Sequence, residues 1–539
     1  MSRYGDYSKA DLVAQLEQRD RRDATRFGLV WEARAADRDT ALNSDFIALD
    51  LDAELSCGTA PWCNLIVEGD NYDALRHLRM AFAGRVKCIY IDPPYNTGNR
   101  DFVYNDRFVD REDAWRHSKW CDFMYRRLLL AKRLLAPDGA IFVSIDDNEI
   151  FTLGMLMNRV FGESNFVANV IWQKRTSPDA RIDFGPAHDY ILVWSKSRSD
   201  ATFNKLRLSE DQQKNYKNPD DDPLGPWTST DFTAQGYRPN QMYAITTPGG
   251  AVYEPPHGRC WANVEPVFKQ LIANNRLWFG TDGKSRPRTK TYLSETDGIR
   301  SWTWWPNTEV GHNQEAKKEI INILGTADNA VFSTPKPVRL IERIIQLATG
   351  PDDIVLDFFA GSGTTAHAVH KMNAADGGRR RCILVSNTET TEDEPDKNLC
   401  RDVCAKRVRR VIEGFSGAPG LGGDFAYLRC RRVPPGRLLS LDHAAVWTAL
   451  QLIHRDRLAP YDNAAPFQYA ENDGQALVYV PRFRRADAEA LRLRLDAVAS
   501  ATVFSWQPDA LRQQVPGSHV QHESVADYLS RKIALEVNA

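Results

Sequence analysis

The sequence predicts a doubly wound α/β fold: a Rossmann-like sheet interrupted by an inserted domain, with a helical N-terminal arm and a small C-terminal α/β domain. Three observations predict it. Short apolar runs alternate with helix-period stretches from about residue 64 to 162, as strands and crossover helices do. The same alternation returns from about 337 to 385. Between them lies a stretch with neither period, broken by Pro, Gly, Asp and Asn clusters.

In chain order, residues 1–45 are charged and helix-prone, and Leu12, Val13, Leu16 and Phe27 could form an apolar stripe. They read as an arm, either solvated or a dimer contact. Residues 46–165 carry the first half of the sheet. Asn64 to Val67 is a strand, Gly69-Asp70-Asn71 a turn, Tyr72 to Phe82 a helix, and Cys88 to Ile91 a fully apolar central strand. Trp120, Phe123, Met124, Arg127, Leu128, Ala131, Leu134 and Leu135 keep helical spacing until Pro137-Asp138-Gly139 breaks it. Ala140 to Ile145 is the next strand, and Ile150 to Phe161 the next helix. The insert is assigned to 166–330, rich in aromatics (Trp227, Tyr237, Trp261, Trp278, Trp302, Trp304, Trp305) and carrying a basic run, Lys284 to Lys290, in an expected loop. Residues 331–426 resume the sheet: helix from Pro337 to Ala348, strand at Ile354 to Leu356, turn at Gly361 to Gly363, helix from Thr364 to Met372, strand at Cys382 to Val385. A last α/β set occupies 427–539.

The bulk numbers narrow the class. A chain of 539 residues holds two to four domains. Hydrophobic content of 42% and charged content of 26% are those of a globular protein. The first 25 residues contain no apolar leader, and no window approaches about 18 uninterrupted apolar residues, so a cytoplasmic location without a membrane partner is expected. Nine cysteines, an odd number scattered over the chain, fit reduced thiols. Cys400/Cys404 and His367/His370 are the only pairs with ligand-like spacing. With no second pair beside either, buried thiols and helix-face histidines are expected, and no metal. Net charge of −2 says nothing of nucleic acid, which is met by a local patch.

Two motifs carry chemistry. The run Asp357-Phe358-Phe359-Ala360-Gly361-Ser362-Gly363-Thr364-Thr365 joins a strand to a helix, and its glycines let backbone approach a ligand. Such a turn takes an adenosyl group or a dinucleotide pyrophosphate equally well. The second motif, Asp92-Pro93-Pro94-Tyr95, follows the apolar strand, and each residue suits activation of an exocyclic amine. The N6 amine of adenine shares its lone pair with the ring. Asp92 and the Pro93 carbonyl can accept its two hydrogens and draw the nitrogen toward tetrahedral geometry. Two prolines fix that geometry beforehand, and Tyr95 offers a stacking face. The target atom is hidden in a duplex, so the base must flip out, with Tyr104 and Trp172 as candidate pocket walls.

Taken together, the two motifs in this order resemble the β-group of DNA amino-methyltransferases, and more closely the modification subunit of type III restriction–modification systems. EGDNYDAL (68–75), IYIDPPYNTGNRDFVYNDRF (89–108), IFVSIDDNE (141–149), STPKPVRLIERI (333–344) and DFFAGSGTTAHAV (357–369) carry the resemblance, which covers roughly 25 to 415. It implies a class I methyltransferase sheet, S-adenosyl-L-methionine as cofactor and adenine N6 in double-stranded DNA as target. It implies that Asp70 and Asn71 contact the cofactor adenine and that Lys336 approaches its methionine end. Asp92, Phe358, Ala360, Gly361 and Gly363 form its cradle, with Asp357, Ser362, Thr364 and Thr365 in the same turn. Glu389, ahead of Asn387, is expected to hold the ribose. The insert becomes a target-recognition domain, with Lys284, Arg286, Arg288 and Lys290 as DNA contacts. A homodimer and a restriction subunit on another chain are implied partners; no Walker motif is present here. The competing readings are N4-cytosine methylation by the same chemistry, an NAD-linked dehydrogenase that leaves the tetrapeptide unexplained, and a non-catalytic DNA-binding subunit.

Overall fold

The computed structural model describes Val13 and residues 45–98, 103–104, 107–108, 113, 115–177, 183–326, 332, 334–390, 394–434, 437 and 440–537. The expected arm therefore lies outside the described residues, apart from an exposed Val13.

The chain forms two compact units, one reaching Phe203 and resuming at Trp302, the other Asn204–Ser301. The larger is built on one ten-stranded sheet. Its strands are β1 (Phe46–Cys57), β2 (Leu65–Glu68), β3 (Val86–Ile91), β4 (Leu135–Ile145), β5 (Phe166–Gln173), β6 (His188–Ser195), β7 (Trp304–Trp305), β8 (Ile354–Asp357), β9 (Arg381–Ser386) and β10 (Phe425–Val433). Spatial order is β1-β10-β2-β9-β8-β3-β4-β6-β5-β7. The six neighbours from β10 to β4 run parallel, while β1, β6 and β5 pair antiparallel.

Parallel strands need crossover helices, and the sequence supplies them at helical spacing. These are α1 (Asn71–Phe82), α2 (Arg116–Leu134), α3 (Ile150–Phe161), α4 (Asn313–Leu324), α5 (Val338–Ala348), α6 (Thr364–Asp376) and α7 (Lys406–Glu413). Leu75 and Leu78 of α1, Trp120, Met124 and Leu128 of α2, and Leu153 and Leu156 of α3 share one core with Ile89, Ile91, Ile141, Val143 and Leu356. Cys88 and Tyr90 alternate with Ile89 and Ile91 and are equally buried, so both faces of β3 are covered. That explains why its sequence is apolar without alternation.

Three expectations shift. The segments 166–173 and 188–195, assigned to the insert, are strands of the large sheet, and Trp304–Trp305 pairs with β5; the second unit is therefore 204–301 rather than 166–330. An apolar run announces a strand but not the sheet it joins. The boundary at 427 falls within β10, which joins the large sheet, and the separate C-terminal sheet is β11 (Gln468–Asn472), β12 (Gln475–Val480), β13 (Ser500–Ser505) and β14 (Val520–Ser524). Pro137-Asp138-Gly139 does not separate α2 from β4 but lies inside β4, where the register with β3 slips. Irregular pairing tolerates the proline's missing N–H. A Cβ at Gly139 would come within 2.8 Å of the Val86 carbonyl.

The smaller unit has its own core of Phe232, Ile245, Trp261, Phe268, Leu277 and Phe279. Beside it the Lys290 ammonium is fully enclosed, 2.5 Å from Asp220 and 2.7 Å from Asp222, and the Tyr292 hydroxyl donates to Asp222 at 2.6 Å. Removing one partner from such a pair strands the others, so Lys290→Met should destabilise this unit by roughly 3–5 kcal/mol. Limited proteolysis should then cut within 204–301, while Lys284→Ala, an exposed change, should leave the protection intact.

Candidate active site

Strands β8 and β3 are neighbours, yet the chain leaves β8 toward β9 on one side and β3 toward β4 on the other. In a doubly wound sheet this reversal opens a crevice beyond the strand ends, where ligands bind. The two motifs leave the sheet at this place, Asp92 directly after β3 and Phe358 directly after β8.

On the β3 side, Asp92 Oδ2 accepts from Lys336 Nζ at 2.5 Å. Asp92 Oδ1 and Tyr95 Oη are buried and have no hydrogen-bond partner among the described residues. Burial, then the Asp92 charge, push the Tyr95 phenol well above its ordinary range, so it stays a neutral aromatic surface. The backbone that presents these groups is held from beneath: Trp120 Nε1 donates to the Pro94 carbonyl at 2.7 Å. Asn96 closes the turn at φ +58° and donates to Glu149 Oε1 at 2.5 Å; His117 Nδ1 lies 2.6 Å from the same oxygen. Asn is one of the few side chains that tolerates this left-handed backbone.

On the β8 side, Gly361 (φ +49°) and Gly363 (φ +76°) make the turn. A Cβ at Gly361 would lie 2.9 Å from the Phe332 ring, and one at Gly363 would lie 3.1 Å from Cys404 Sγ. Left-handed backbone and close protein neighbours both disfavour a side chain there. Four residues of the expected cradle face inward. Asp357 accepts from the Phe359 N–H at 3.0 Å and from the Thr365 hydroxyl at 2.5 Å. The Ser362 and Thr364 hydroxyls accept from the buried Arg407 at 3.1 and 2.7 Å. These four fix the turn and are corrected from cofactor contacts to supports. Phe358 and Ala360 are buried.

Asp70 and Asn71 lie at the end of β2 and have protein partners of their own. Asp70 Oδ1 caps α1, accepting from the Tyr72 and Asp73 N–H groups, and its Oδ2 is 3.0 Å from Arg127. Asn71 donates to the Phe358 carbonyl at 2.8 Å and accepts from Arg127 at 2.5 Å. Asn71 thus ties the β2 loop to the β8 turn, while Arg127 holds that loop to α2, its guanidinium 3.6 Å from the Phe123 ring centroid. Glu389 is exposed at φ +52°, 3.4 Å from Lys397.

The expected DNA-contacting residues divide. Trp172 is buried, its Nε1 donates to the Gly311 carbonyl at 3.0 Å, and its ring centroid is 6.0 Å from Lys336 Nζ. Tyr104 belongs to a short hairpin strand, and its side chain lies outside the described residues. Lys284 and Arg286 are exposed, Arg286 lying 5.6 Å from the Tyr253 ring centroid. Arg288 is exposed but begins a strand, bound to Ser229. Lys290 cannot meet a phosphate: it is the buried partner of Asp220 and Asp222. A basic run in sequence does not reveal which lysine folds inward.

Sequence reasoning missed Arg127, Arg407, Glu149 and the buried pair Asp189–Lys174, at 2.5 Å. Two of them left a trace, Arg127 as a charge within the apolar stripe of a helix and Asp189 as a lone acid in an apolar strand. Burial keeps Cys400, Cys404, His367 and His370 neutral, with the Cys400 thiol pushed up to about 12 and His370 down to about 4. Among the described residues no cluster arranged to hold a metal ion occurs, all nine cysteines are unpaired, and no helix is long and apolar enough to cross a membrane.

An acidic Pro-Pro-Tyr loop and a glycine turn thus meet at the switch point of an α/β sheet. A family model described as DNA methylase matches residues 86–378, and the chain belongs to that family. The Mod subunit of the type III restriction–modification enzyme StyLTI from Salmonella typhimurium is 38% identical over 407 residues, 69% of this chain and 60% of that one. The type II methyltransferase M.KpnI of Klebsiella pneumoniae is 32% identical over 375 residues, 64% of this chain and 87% of that one. The chain thus spans about three fifths of the StyLTI subunit's length. A DNA modification methylase from Thermus thermophilus, solved with S-adenosyl-L-methionine, aligns over 68% of this chain and 98% of its own at 16% identity and a TM-score of 0.32, too low to carry any argument.

Burial raises the Asp357 carboxyl to about 7, against the pull of its two donors. Folded protein therefore holds a proton that the unfolded chain releases near 3.8, and this favours folding below 3.8 and fades as pH rises through about 7. Relative to Asp357→Asn, the unaltered chain should lose a few degrees of Tm, about 2–4 °C, between pH 5 and pH 8 in paired thermal melts.

Proposed function

We propose that the chain transfers a methyl group from S-adenosyl-L-methionine to N6 of a flipped-out adenine in double-stranded DNA. The observation that carries this reading is the Asp92 carboxylate, whose Oδ1 is buried beside Tyr95 without a donor. A stranded acceptor costs about 1–3 kcal/mol, and an exocyclic amine brings the hydrogen it lacks.

The chain's own residues do the positioning. Asp92 and the Pro93 carbonyl accept the amine hydrogens, and Tyr95 stacks on the base with Trp172 behind the site. Bound cofactor would supply an electrophilic methyl group on a sulfonium. Phe358, Ala360, Gly361 and Gly363 would shape its seat, Asp70 and Asn71 would meet its adenine and Glu389 its ribose. The orphaned Asp92 oxygen and the backbone-lined turn suit that occupant. Alignment does most of the work, because a sulfonium is already a good leaving group; orientation is worth roughly 7–11 kcal/mol in favourable cases.

The unit 204–301 reads the target, with Lys284, Arg286 and Arg288 toward phosphate or base. Kinship with the StyLTI Mod subunit supports action as a modification subunit, as a homodimer with a restriction subunit on another chain. Nine unpaired cysteines suit the reducing cytoplasm.

Sequencing modified bases in DNA from expressing cells gives product and site together, with N6-methyladenine expected; N4-methylcytosine would overturn the adenine assignment. Asp92→Ala should lower the transfer rate at least about a hundredfold while DNA affinity changes little. Lys284→Ala and Arg286→Ala should each reduce the slope of log affinity against log salt by roughly one, measured by fluorescence anisotropy. Unchanged slopes would remove both residues from the DNA face.

A further inference from the structure

Lys336 stands where the target amine has to stand. Its Nζ is 2.5 Å from Asp92 Oδ2, 5.1 Å from the Tyr95 ring centroid and 6.0 Å from that of Trp172. These are the carboxylate, the stacking face and the back wall that a flipped base needs. An ammonium left there works against transfer in two ways. It neutralises the carboxylate that must attract the amine hydrogens. It also adds positive charge beside a sulfonium and beside a nitrogen that turns cationic as its lone pair is spent.

A second buried carboxylate stands opposite the back wall of this site. Asp189 of β6 pairs in register with Trp172 of β5. Its side chain is 4% exposed, and Lys174 Nζ sits 2.5 Å from Oδ1. Burial raises the Asp189 carboxyl, and the Lys336 ammonium acts against that rise alongside Lys174. Asp92, Asp189, Lys174 and Lys336 form a set of two negative and two positive side chains with little water to screen them.

We propose that Asp189 is a positioning residue for methyl transfer, receiving the Lys336 ammonium from Asp92 when the target amine enters. The inference rests on the methyl-transfer reading of this site. The amine lone pair forms the N–C bond, the S–C bond breaks with its electrons remaining on sulfur, and the surplus proton on nitrogen passes to Asp92. Lys336 keeps its own protons and changes only its carboxylate. Asp189 touches neither base nor cofactor; it sets how much of Asp92 is available.

Base flipping reads this directly. The full chain is titrated, without cofactor, against duplex DNA carrying 2-aminopurine next to the adenine it methylates, so that the target keeps its N6 amine and its unstacking is read on the neighbour. Asp189→Asn should weaken the half-saturation of the fluorescence rise roughly tenfold, because Lys336 then stays on Asp92. Lys336→Met should flip the base at least about twofold better than the unaltered chain, and the double variant should behave like Lys336→Met. Lys174→Met, which breaks the Asp189 pair without blocking the exchange, should stay within about threefold. A normal Asp189→Asn titration overturns the proposal, as does a double variant that keeps the Asp189→Asn defect, since loss of structure would not be rescued at Lys336. Should Asp189→Asn fail to fold, Lys336→Met decides alone: flipping no better than the unaltered chain overturns it. Failure of the unaltered chain to methylate or flip any DNA defeats the functional reading instead, a result distinct from any contrast among variants.

Discussion

The pairing of β8 with β3 is the contact on which the rest depends. Val355 opposite Cys88 and Leu356 opposite Ile89 join the two halves of the sheet in parallel, across the whole of the intervening chain. Parallel pairing is buried on both faces and demands covered, apolar strands. Both strands meet that demand with almost no exposed surface. Because the chain diverges from these two strands in opposite directions, their ends bring an acidic loop and a glycine turn to one crevice. Neither loop could make the site alone.

Around that crevice the protein places charges where water is scarce and then answers each of them. Arg127 binds both Asp70 and Asn71, and Asn71 binds the Phe358 carbonyl, so the loop after β2 and the turn after β8 move as one piece. Arg407 holds the Ser362 and Thr364 hydroxyls while pairing with Glu319 at 3.3 Å. Glu149 anchors Asn96 directly behind the tetrapeptide. Buried ionic groups of this kind add little net stability compared with apolar packing, but removing one partner is costly. Their effect is to fix geometry, which a reaction driven by alignment requires. Among the described residues the atoms left over at this crevice include Asp92 Oδ1, Tyr95 Oη, Asn96 Oδ1 and Glu149 Oε2, all buried without a hydrogen bond.

The smaller unit uses the same device for a different end. Lys290, Asp220, Asp222 and Tyr292 form a closed polar knot beside a compact aromatic core. A unit of this size has limited apolar surface to bury, so a satisfied polar cluster helps to specify one arrangement. Its exposed basic residues remain available for a polyanion.

Much of this was legible in the chain. Apolar runs without alternation marked β3 and β8 as buried strands, helical spacing marked α1, α2, α3 and α5, and the chemistry of an amine pointed to Asp92 and Tyr95 from residue type alone. These are local properties: periodicity and residue type act over a few turns or strands. Tertiary structure alone decided which sheet Phe166–Gln173 and His188–Ser195 would join, because an apolar strand is equally content in either. It alone turned Lys290 inward and Arg286 outward, since identical charges in one run are separated only by what packs beneath them. It also packed Gly363 against Cys404 and put Lys336 on Asp92. Sequence determined most strands and helices and singled out the loop Asp92-Pro93-Pro94-Tyr95; the long-range pairing of β8 with β3, invisible to any local pattern, decided what surrounds that loop.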